Sequence, residues 1–388
     1  MLRLNQKLKI GIIGAGPAGS MIAYRLAKAG HEVHILERKS SVERKVCGEY
    51  LCPKGVELLQ DLNLLEKLCH KFSPLFGMVL VSPMGEIIPS YFPQTLREEK
   101  GLSLHRKIFD ENLLQLALDS GAVLHYKTVT NAFQKTDETW SVVASEEIFE
   151  FNFLIAADGR QSKIGNHLGH VDNIYTTRIA LHCFLPRKIS RGQRLGEMHI
   201  LPHGAYCGLD PVSDDEVNFS IVCDSLRLKT ERPKDIINQE IKNSKRLSEM
   251  FDPVTDETDI KIVSSLKNKN HFIAGDNLAY VGDAAGFIDP LTGEGIYNAI
   301  QSSTILADCL ENYPDVPQAL AAYKKRKKQL SFQKNILNHF FQFLIRRSFL
   351  IKLTVKFLKK SPERASNFIG IIGNIHDPVT GFIKMLKA

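Results

Sequence analysis

Three glycines near the start of the chain are spaced so that backbone can approach an anion. They stand in Gly14-Ala15-Gly16-Pro17-Ala18-Gly19. An apolar run, Leu8 to Ile13, precedes them, and a helical run, Ser20 to Ala29, follows. Glu37 then closes the next apolar stretch, His31 to Leu36. Strand, tight turn, helix and a second strand ending in an acid make a dinucleotide-binding βαβ unit. The glycines keep the turn tight and let N–H groups face a pyrophosphate at the helix N-terminus, while Glu37 accepts hydrogen bonds from an adenosine ribose. Pro17, Ala18 and Arg38 are counted in the same site. A glycine-rich turn of this kind also occurs without a ligand, so the rest of the chain has to decide.

Two later segments bear on that decision. Phe153-Leu154-Ile155-Ala156-Ala157-Asp158-Gly159-Arg160 is an apolar strand ending in Asp-Gly. Leu278 to Gly286 is a second apolar strand, running into Gly282-Asp283, and it is followed by Asp289-Pro290-Leu291-Thr292-Gly293-Glu294-Gly295. Asp283 ends a strand that reads as buried, where an unpaired charge is costly and a hydroxyl-rich ligand relieves it. It also fits a cap on the Ala284-Ala285 turn. Gly293-Glu294-Gly295 opens a helix through about Leu310, whose N-terminal end favours negative charge.

The three segments in this order resemble the FAD-dependent hydroxylase superfamily typified by para-hydroxybenzoate hydroxylase, and within it the geranylgeranyl reductase branch. The resemblance implies an FAD cofactor, with Gly282-Asp283 on the ribityl chain and Asp158-Gly159 near the pyrophosphate and the approach of the nicotinamide donor. It places Arg106, in Leu104-His105-Arg106-Lys107, on FAD; Pro290, Gly293, Glu294 and Gly295 are counted among the cofactor-binding residues, the helix end at Gly293-Glu294-Gly295 answering the negative charge that reduced flavin carries at its pyrimidine edge. Lys45-Val46-Cys47-Gly48 is similar to a stretch that runs beside the isoalloxazine ring in geranylgeranyl reductases, where glycine lets backbone meet the flat ring. Cys47 itself also reads as a small apolar filler. The branch carries Tyr-x-Trp-x-Phe-Pro on the sheet facing its lipid, and this chain has Tyr206-Cys207-Gly208-Leu209-Asp210-Pro211 there. Tyr206 and Gly208 are therefore the substrate positions. Gly208 and Asp210 replace the two aromatic residues, so a long isoprenoid substrate does not carry over.

Those residues need a scaffold. At 388 residues, 44% hydrophobic and 24% charged, the chain is long enough for two domains. The expected fold class is α/β. A Rossmann-like, glutathione-reductase-type FAD-binding domain is assembled from residues 1–75, 100–170 and 270–325. A mixed or antiparallel sheet domain for the substrate takes 76–99 and 171–269, and 326–388 form a helical C-terminal part. Within this frame Phe76–Pro89 reads as a hairpin and Phe109–Asp119 as a helix. Arg178–Leu185, Glu197–Leu201, Ala205–Leu209 and Glu216–Cys223 read as strands, and Pro233–Met250 as one helix.

The seven cysteines lack Cys-x-x-Cys or metal-ligand spacing, so reduced thiols and no metal are expected. His182, His199 and His203 read as satisfied polar residues rather than acid–base catalysts. Gly370-Ile371-Ile372-Gly373 is not followed by an acidic strand end and is set aside as a second nucleotide site. The net charge of +7 belongs to one segment, because Val316 to Pro362 holds twelve Lys and Arg and no acid, leaving a net −5 elsewhere. Nucleic acid is not an expected partner. Phe349, Leu350, Leu353 and Phe357 fall on one side of a helix and Lys352, Lys356, Lys359 and Lys360 toward the other, until Ser361-Pro362 ends it. Such a helix either lies on an anionic membrane or packs its apolar side on the domain beneath. The apolar run at the N-terminus is broken at once by the glycine turn, which is not signal-peptide chemistry, so a cytoplasmic protein is expected, with peripheral membrane contact where the helix takes the first of its two readings.

Taken with the resemblance, the expected activity is that of an FAD-dependent oxidoreductase reduced by NADPH or NADH. Its substrate is an apolar, lipid-like small molecule, and the reaction is reduction of a carbon–carbon double bond. The alternatives are a monooxygenase hydroxylating an aromatic or apolar substrate, and a non-catalytic prenyl-binding protein of the GDP-dissociation-inhibitor type.

Overall fold

The computed structural model describes residues 6–70, 72–95, 98–136, 139–172, 174, 176–188, 194–264, 268–287 and 290–388. One half is a six-stranded sheet in the order Ala274–Gly275, Leu278–Tyr280, Phe153–Ala156, Lys9–Ile13, Glu32–Glu37, Val123–Tyr126. All pairs are parallel except the short first one. Lys9–Ile13 sits centrally, with Ile10 opposite both Phe153 and Val33. Alternation divides the sheet's side chains between two cores. Ile10, Ile12, Val33, Ile35 and Ile155 pack with the helices Pro17–Lys28, Arg106–Asp119 and Gly295–Asn312. Ile13, Leu36, Leu154 and Ala156 pack against Val129, Trp140 and Phe151 of a small antiparallel sheet. Burial on both faces is why these strands read as nearly continuous apolar runs.

A seven-stranded sheet stands over this half, in the order Lys261–Val263, Arg178–Pro186, Glu216–Asp224, Tyr206–Pro211, Gly196–Ile200, Gly77–Val81, Ile87–Tyr91. It is mixed, because Gly196–Ile200 runs parallel to Gly77–Val81 while the other pairs are antiparallel. One face, with Cys207, Leu209, Phe219 and Ile221, is covered by the helices Pro233–Asn243 and Lys245–Met250. The opposite face carries Tyr206, Gly208 and Asp210. The single helix expected over 233–250 is broken at Ser244, whose side chain accepts from the Leu247 N–H and starts a second helix.

Four helices close the chain: Val316–Ile345, Ser348–Leu358, Pro362–Ile372 and Pro378–Lys387. Side chains cap three of them, with Asp315, Ser361 and Asp377 accepting from the N–H groups of Gln318, Glu363 and Thr380. The Tyr323 hydroxyl donates to the Tyr280 carbonyl at 2.6 Å and pins the long helix to the six-stranded sheet. Gly370 and Gly373 are packing glycines, since a Cβ on Gly370 would stand 2.7 Å from Pro93 Cγ and one on Gly373 3.2 Å from Pro53 Cδ.

Ser348–Leu358 corrects the expected sidedness. Its buried stripe is Ile351, Val355 and Leu358, whereas Phe349 (69% exposed) and Leu353 (48%) face outward with Lys352 and Lys356. Phe357 is half-buried beneath the Arg364 guanidinium, 4.5 Å from its ring centre. The helix is apolar on two sides, so a one-sided reading chose the wrong stripe.

Candidate active site

The glycine turn takes a conformation that needs glycine. Gly14 has φ +103° and receives nothing larger than hydrogen, because a Cβ there would stand 2.6 Å from the Ala157 carbonyl oxygen. A Cβ on Gly19 would overlap the Gly14 carbonyl oxygen, so this glycine lets the helix pack on the turn. Gly16 caps the helix, Pro17 is its first residue, and Ala18 follows. Glu37 ends its strand with both oxygens aimed at backbone: the Ala15 N–H donates to Oε2 at 2.8 Å and the Lys39 N–H to Oε1 at 3.1 Å. Each oxygen keeps a lone pair for a hydroxyl.

These groups line one end of a continuous cavity of about 940 Å³, at the upper end of the about 300–1,000 Å³ usual for small-molecule sites. Gly14, Gly16, Pro17, Ala18, Glu37, Arg38, Cys47, Gly48 and Arg106 border it, as do Asp158, Gly159, Asp283, Gly293 and Gly295. Tyr206 and Gly208 border its far end. Gly19 and Gly282 do not. Gly282 has φ +60° and supports the site from behind, its N–H donating to Ser302 Oγ at 2.8 Å. Pro290 opens the short turn Pro290–Thr292; Asp289 lies outside the described residues.

Glu294 is placed differently from its expected role. Its Oε1 accepts from the Asn374 amide and lies 3.2 Å from Lys334 Nζ, and its Oε2 accepts from Thr292 Oγ1 at 2.7 Å. It faces a separate small void bordered also by Gly282 and Asp283. The carboxylate thus ties the turn before Gly295–Asn312 to the C-terminal helices.

Three charged groups of the main cavity are held under tension with their surroundings. Arg106 is buried; burial alone would lower its pKa, but the bidentate pair to Asp110 (2.9 and 2.8 Å) and the neighbouring Cys47 more than reverse this and raise it. Burial pushes the Cys47 thiol up despite Arg106, which keeps it protonated and suits the filler reading. Burial likewise raises Asp158, and its Oδ1 has no hydrogen-bond partner although Oδ2 accepts from the Ile164 N–H at 3.1 Å. Burial raises Asp283 against the pull of Arg160, Arg106, Lys327 and Lys45. A positive-φ cradle, an unpartnered buried carboxyl oxygen on Asp158 and the half-buried Asp283 carboxyl along one cavity fit the diphosphate and polyol of FAD.

Two of the histidines expected to be satisfied are only partly so, since His182 Nε2 and His199 Nδ1 are buried without a hydrogen-bond partner. His199 is 3.0 Å from Glu197, whose other partner is Arg246 in a bidentate pair at 2.6 and 2.7 Å. Burial lowers His182 to about 4, so it is neutral near pH 7. The described cysteines are free, including Cys47 and Cys52, and no cluster of metal-ligating side chains occurs among the described residues.

Sequence reasoning missed one wall of the cavity, and it read Asp210 only as a departure from the aromatic pattern. Phe341, Ile345, Ile351, Val355, Phe368 and Ile372 of the C-terminal helices form an apolar wall of the cavity. The helical spacing of Ile351 and Val355 was an available signal. Asp210 also borders the cavity, buried and facing Gly48. Period-two alternation from Tyr206 and Gly208 was enough to put it on their face.

The family described as FAD binding domain matches residues 7–333. The chain belongs to it. It is a flavin-dependent oxidoreductase of the para-hydroxybenzoate hydroxylase superfamily, and this membership decides against the non-catalytic prenyl-binding alternative. Conditioned medium factor receptor 1 of Dictyostelium discoideum is 27% identical over 76% of this chain, a match that spans 62% of that relative's length. Digeranylgeranylglycerophospholipid reductase of Methanocaldococcus jannaschii is 24% identical, over 86% of this chain and 85% of its own. Among solved structures, the flavin-dependent halogenase CmlS shares the fold with a TM-score of 0.80 at 20% identity, covering 98% of this chain and 77% of that one.

Proposed function

We propose that this enzyme takes reducing equivalents from NADPH or NADH into its FAD and spends them on a carbon–carbon double bond of an apolar, lipid-like molecule. The observation that carries the reading is the continuity of the cavity. From the dinucleotide cradle at Gly14 and Glu37 it runs past Gly48 to a wall of Leu80, Ile88, Phe341, Ile345 and Phe368. FAD, when bound, supplies hydride transfer. The chain's own residues do the rest. The backbone N–H groups of Gly14–Gly16 would face the cofactor's diphosphate, Arg106, held in place by Asp110, would help orient it, Asp158 and Asp283 would hold its polar arm, and the apolar wall would exclude water from the reacting face.

A surface patch supports delivery from a membrane. Phe349 and Leu353 are exposed beside Lys352 and Lys356, in a segment without acids, so the occupant of matching chemistry is an anionic lipid surface. Among the described residues no helix is long and apolar enough to cross a membrane.

The deciding experiment is turnover of holoenzyme with NADPH or NADH and a panel of apolar alkenes, with and without oxygen. A product formed anaerobically and heavier by two hydrogens supports the reductase reading. A product formed only with oxygen and heavier by one oxygen atom replaces it with the hydroxylase.

A further inference from the structure

Asp210 is a buried carboxyl on the stretch of the cavity wall that Met198, Tyr206 and Val222 also line. It lies on Tyr206–Pro211, on the same face as Tyr206 and Gly208, and is only 7% exposed. Its Oδ1 is buried without a hydrogen-bond partner, and a Cβ on Gly196 would stand 3.0 Å from it. Its Oδ2 is directed toward the Lys45–Gly48 loop, 3.7 Å from where a Cβ on Gly48 would stand. A purely hydrocarbon ligand would leave that carboxyl unsatisfied in a water-poor site, which costs free energy.

We infer that Asp210 acts as a neutral hydrogen-bond donor that selects substrates carrying an oxygen acceptor, a carbonyl of the quinone or enone type, beside their apolar body. This deepens the function proposed above and rests on the cavity being the substrate site. Asp210 has the surroundings such a donor requires. Burial, reinforced by the nearby Glu49 carboxylate, raises it to about 8, so it carries its proton at neutral pH. The other titratable group on this side of the strand is the Tyr50 phenol; the Cys207 thiol lies on the same strand but on its helix-covered face, and both are raised mainly by burial. Glu49 lies 3.5 Å from the Arg44 guanidinium and accepts from the backbone N–H of Arg106 at 3.4 Å, the Arg106 guanidinium is taken up by Asp110, and Asp210 has no salt-bridge partner among the described residues. Nearby, Asn218 donates its side-chain amide to the Cys47 carbonyl at 2.7 Å, which fixes the loop that Asp210 looks onto.

The test uses oxidised holoprotein, without a nicotinamide donor, and two probes of one ring skeleton: 2-methyl-1,4-naphthoquinone and 2-methylnaphthalene. Binding is read from the change in the flavin's visible spectrum. Wild type should prefer the quinone by about tenfold near pH 6 and lose the preference near pH 10, the worth of one buried hydrogen bond. Asp210→Asn keeps a donor and should keep the preference at both pH values, which also separates Asp210 from the titration of Glu49. Asp210→Leu should bind both probes alike while retaining FAD. A preference that survives in Asp210→Leu, or that is independent of pH in wild type, overturns the inference alone. Failure of both probes to bind overturns it together with the reading of the cavity as an apolar-substrate site.

Discussion

Gly16 and Gly19 lie in one turn, and the structure gives them separable jobs. A methyl on Gly19 would overlap the Gly14 carbonyl oxygen and approach Ala157 Cβ to 3.3 Å. The first obstacle is backbone and cannot rotate away, so the turn has to open. Overpacking of this kind costs about 1–3 kcal/mol in the folded apoprotein. Gly16 is different. Its φ −75° and ψ −178° suit alanine, and the nearest atom to its Cβ is Lys45 Nζ, at 3.5 Å on a flexible side chain. Losing glycine at a helix N-cap costs several tenths of a kcal/mol, and restricting the unfolded chain returns about 0.4–1 kcal/mol, so the apoprotein should be nearly unchanged. The methyl would still stand between the backbone N–H groups and an approaching diphosphate. Forfeiting one charge-assisted hydrogen bond, about 1.5–3 kcal/mol, weakens FAD binding roughly ten- to a hundredfold. The assay pairs denaturant unfolding of the apoproteins with FAD titration by flavin fluorescence. Gly19→Ala should fail in both and Gly16→Ala in titration only. A Gly16→Ala protein that binds FAD like wild type, or that is destabilised as much as Gly19→Ala, would refute the division of labour.

Two further outcomes are expected. Burial alone would raise Glu197, but hydrogen bonds from His199 and Arg246 take its carboxyl from 4.5 down to about 2, so its contribution to stability is complete above about pH 4.5 and is lost as pH falls toward 2. Arg246→Ala strands a buried charge and should cost about 3–5 kcal/mol at neutral pH, with a flattened acid limb in unfolding midpoints; parallel loss in wild type and variant across this range would sink the assignment. On the outer face of Ser348–Leu358, each cation near an anionic surface contributes about 1 kcal/mol, so Phe349→Glu with Leu353→Glu should abolish salt-sensitive vesicle binding while FAD content stays the same. Wild-type protein that ignores anionic vesicles at low salt would show that this patch has another use.

What the sequence disclosed was local. The Gly14–Gly19 turn was legible because φ +103° and a carbonyl in contact admit one residue type, and because a strand on either side limits where such a turn can lie. Arg178–Pro186 and Glu216–Asp224 were legible because one face of their sheet is covered by helices and the pattern alternates. Glu294 was not. Its partners Lys334 and Asn374 stand 40 and 80 positions away, and nothing in Gly293-Glu294-Gly295 announces them. The break at Ser244 was visible in principle, since serine is a preferred N-cap, but the apolar spacing on either side concealed it.

The C-terminal helix shows why the rest was hidden. Ile351 and Val355 repeat at the same interval as Phe349 and Leu353, so periodicity finds two stripes and does not rank them; only the cavity, assembled from both halves of the chain, chooses. The consequence is a wall one helix thick, about 10 Å, with Ile351 and Val355 toward the cavity and Phe349 and Leu353 toward solvent. The same group of helices is anchored through Asn374, Lys334 and Glu294 to the turn that precedes Gly295–Asn312. The surface proposed to meet a membrane, the wall proposed to meet the substrate and the helix end proposed to meet the cofactor are therefore joined through one buried carboxylate. That is a physical reason for Glu294 to be an acid even though it does not touch the main cavity.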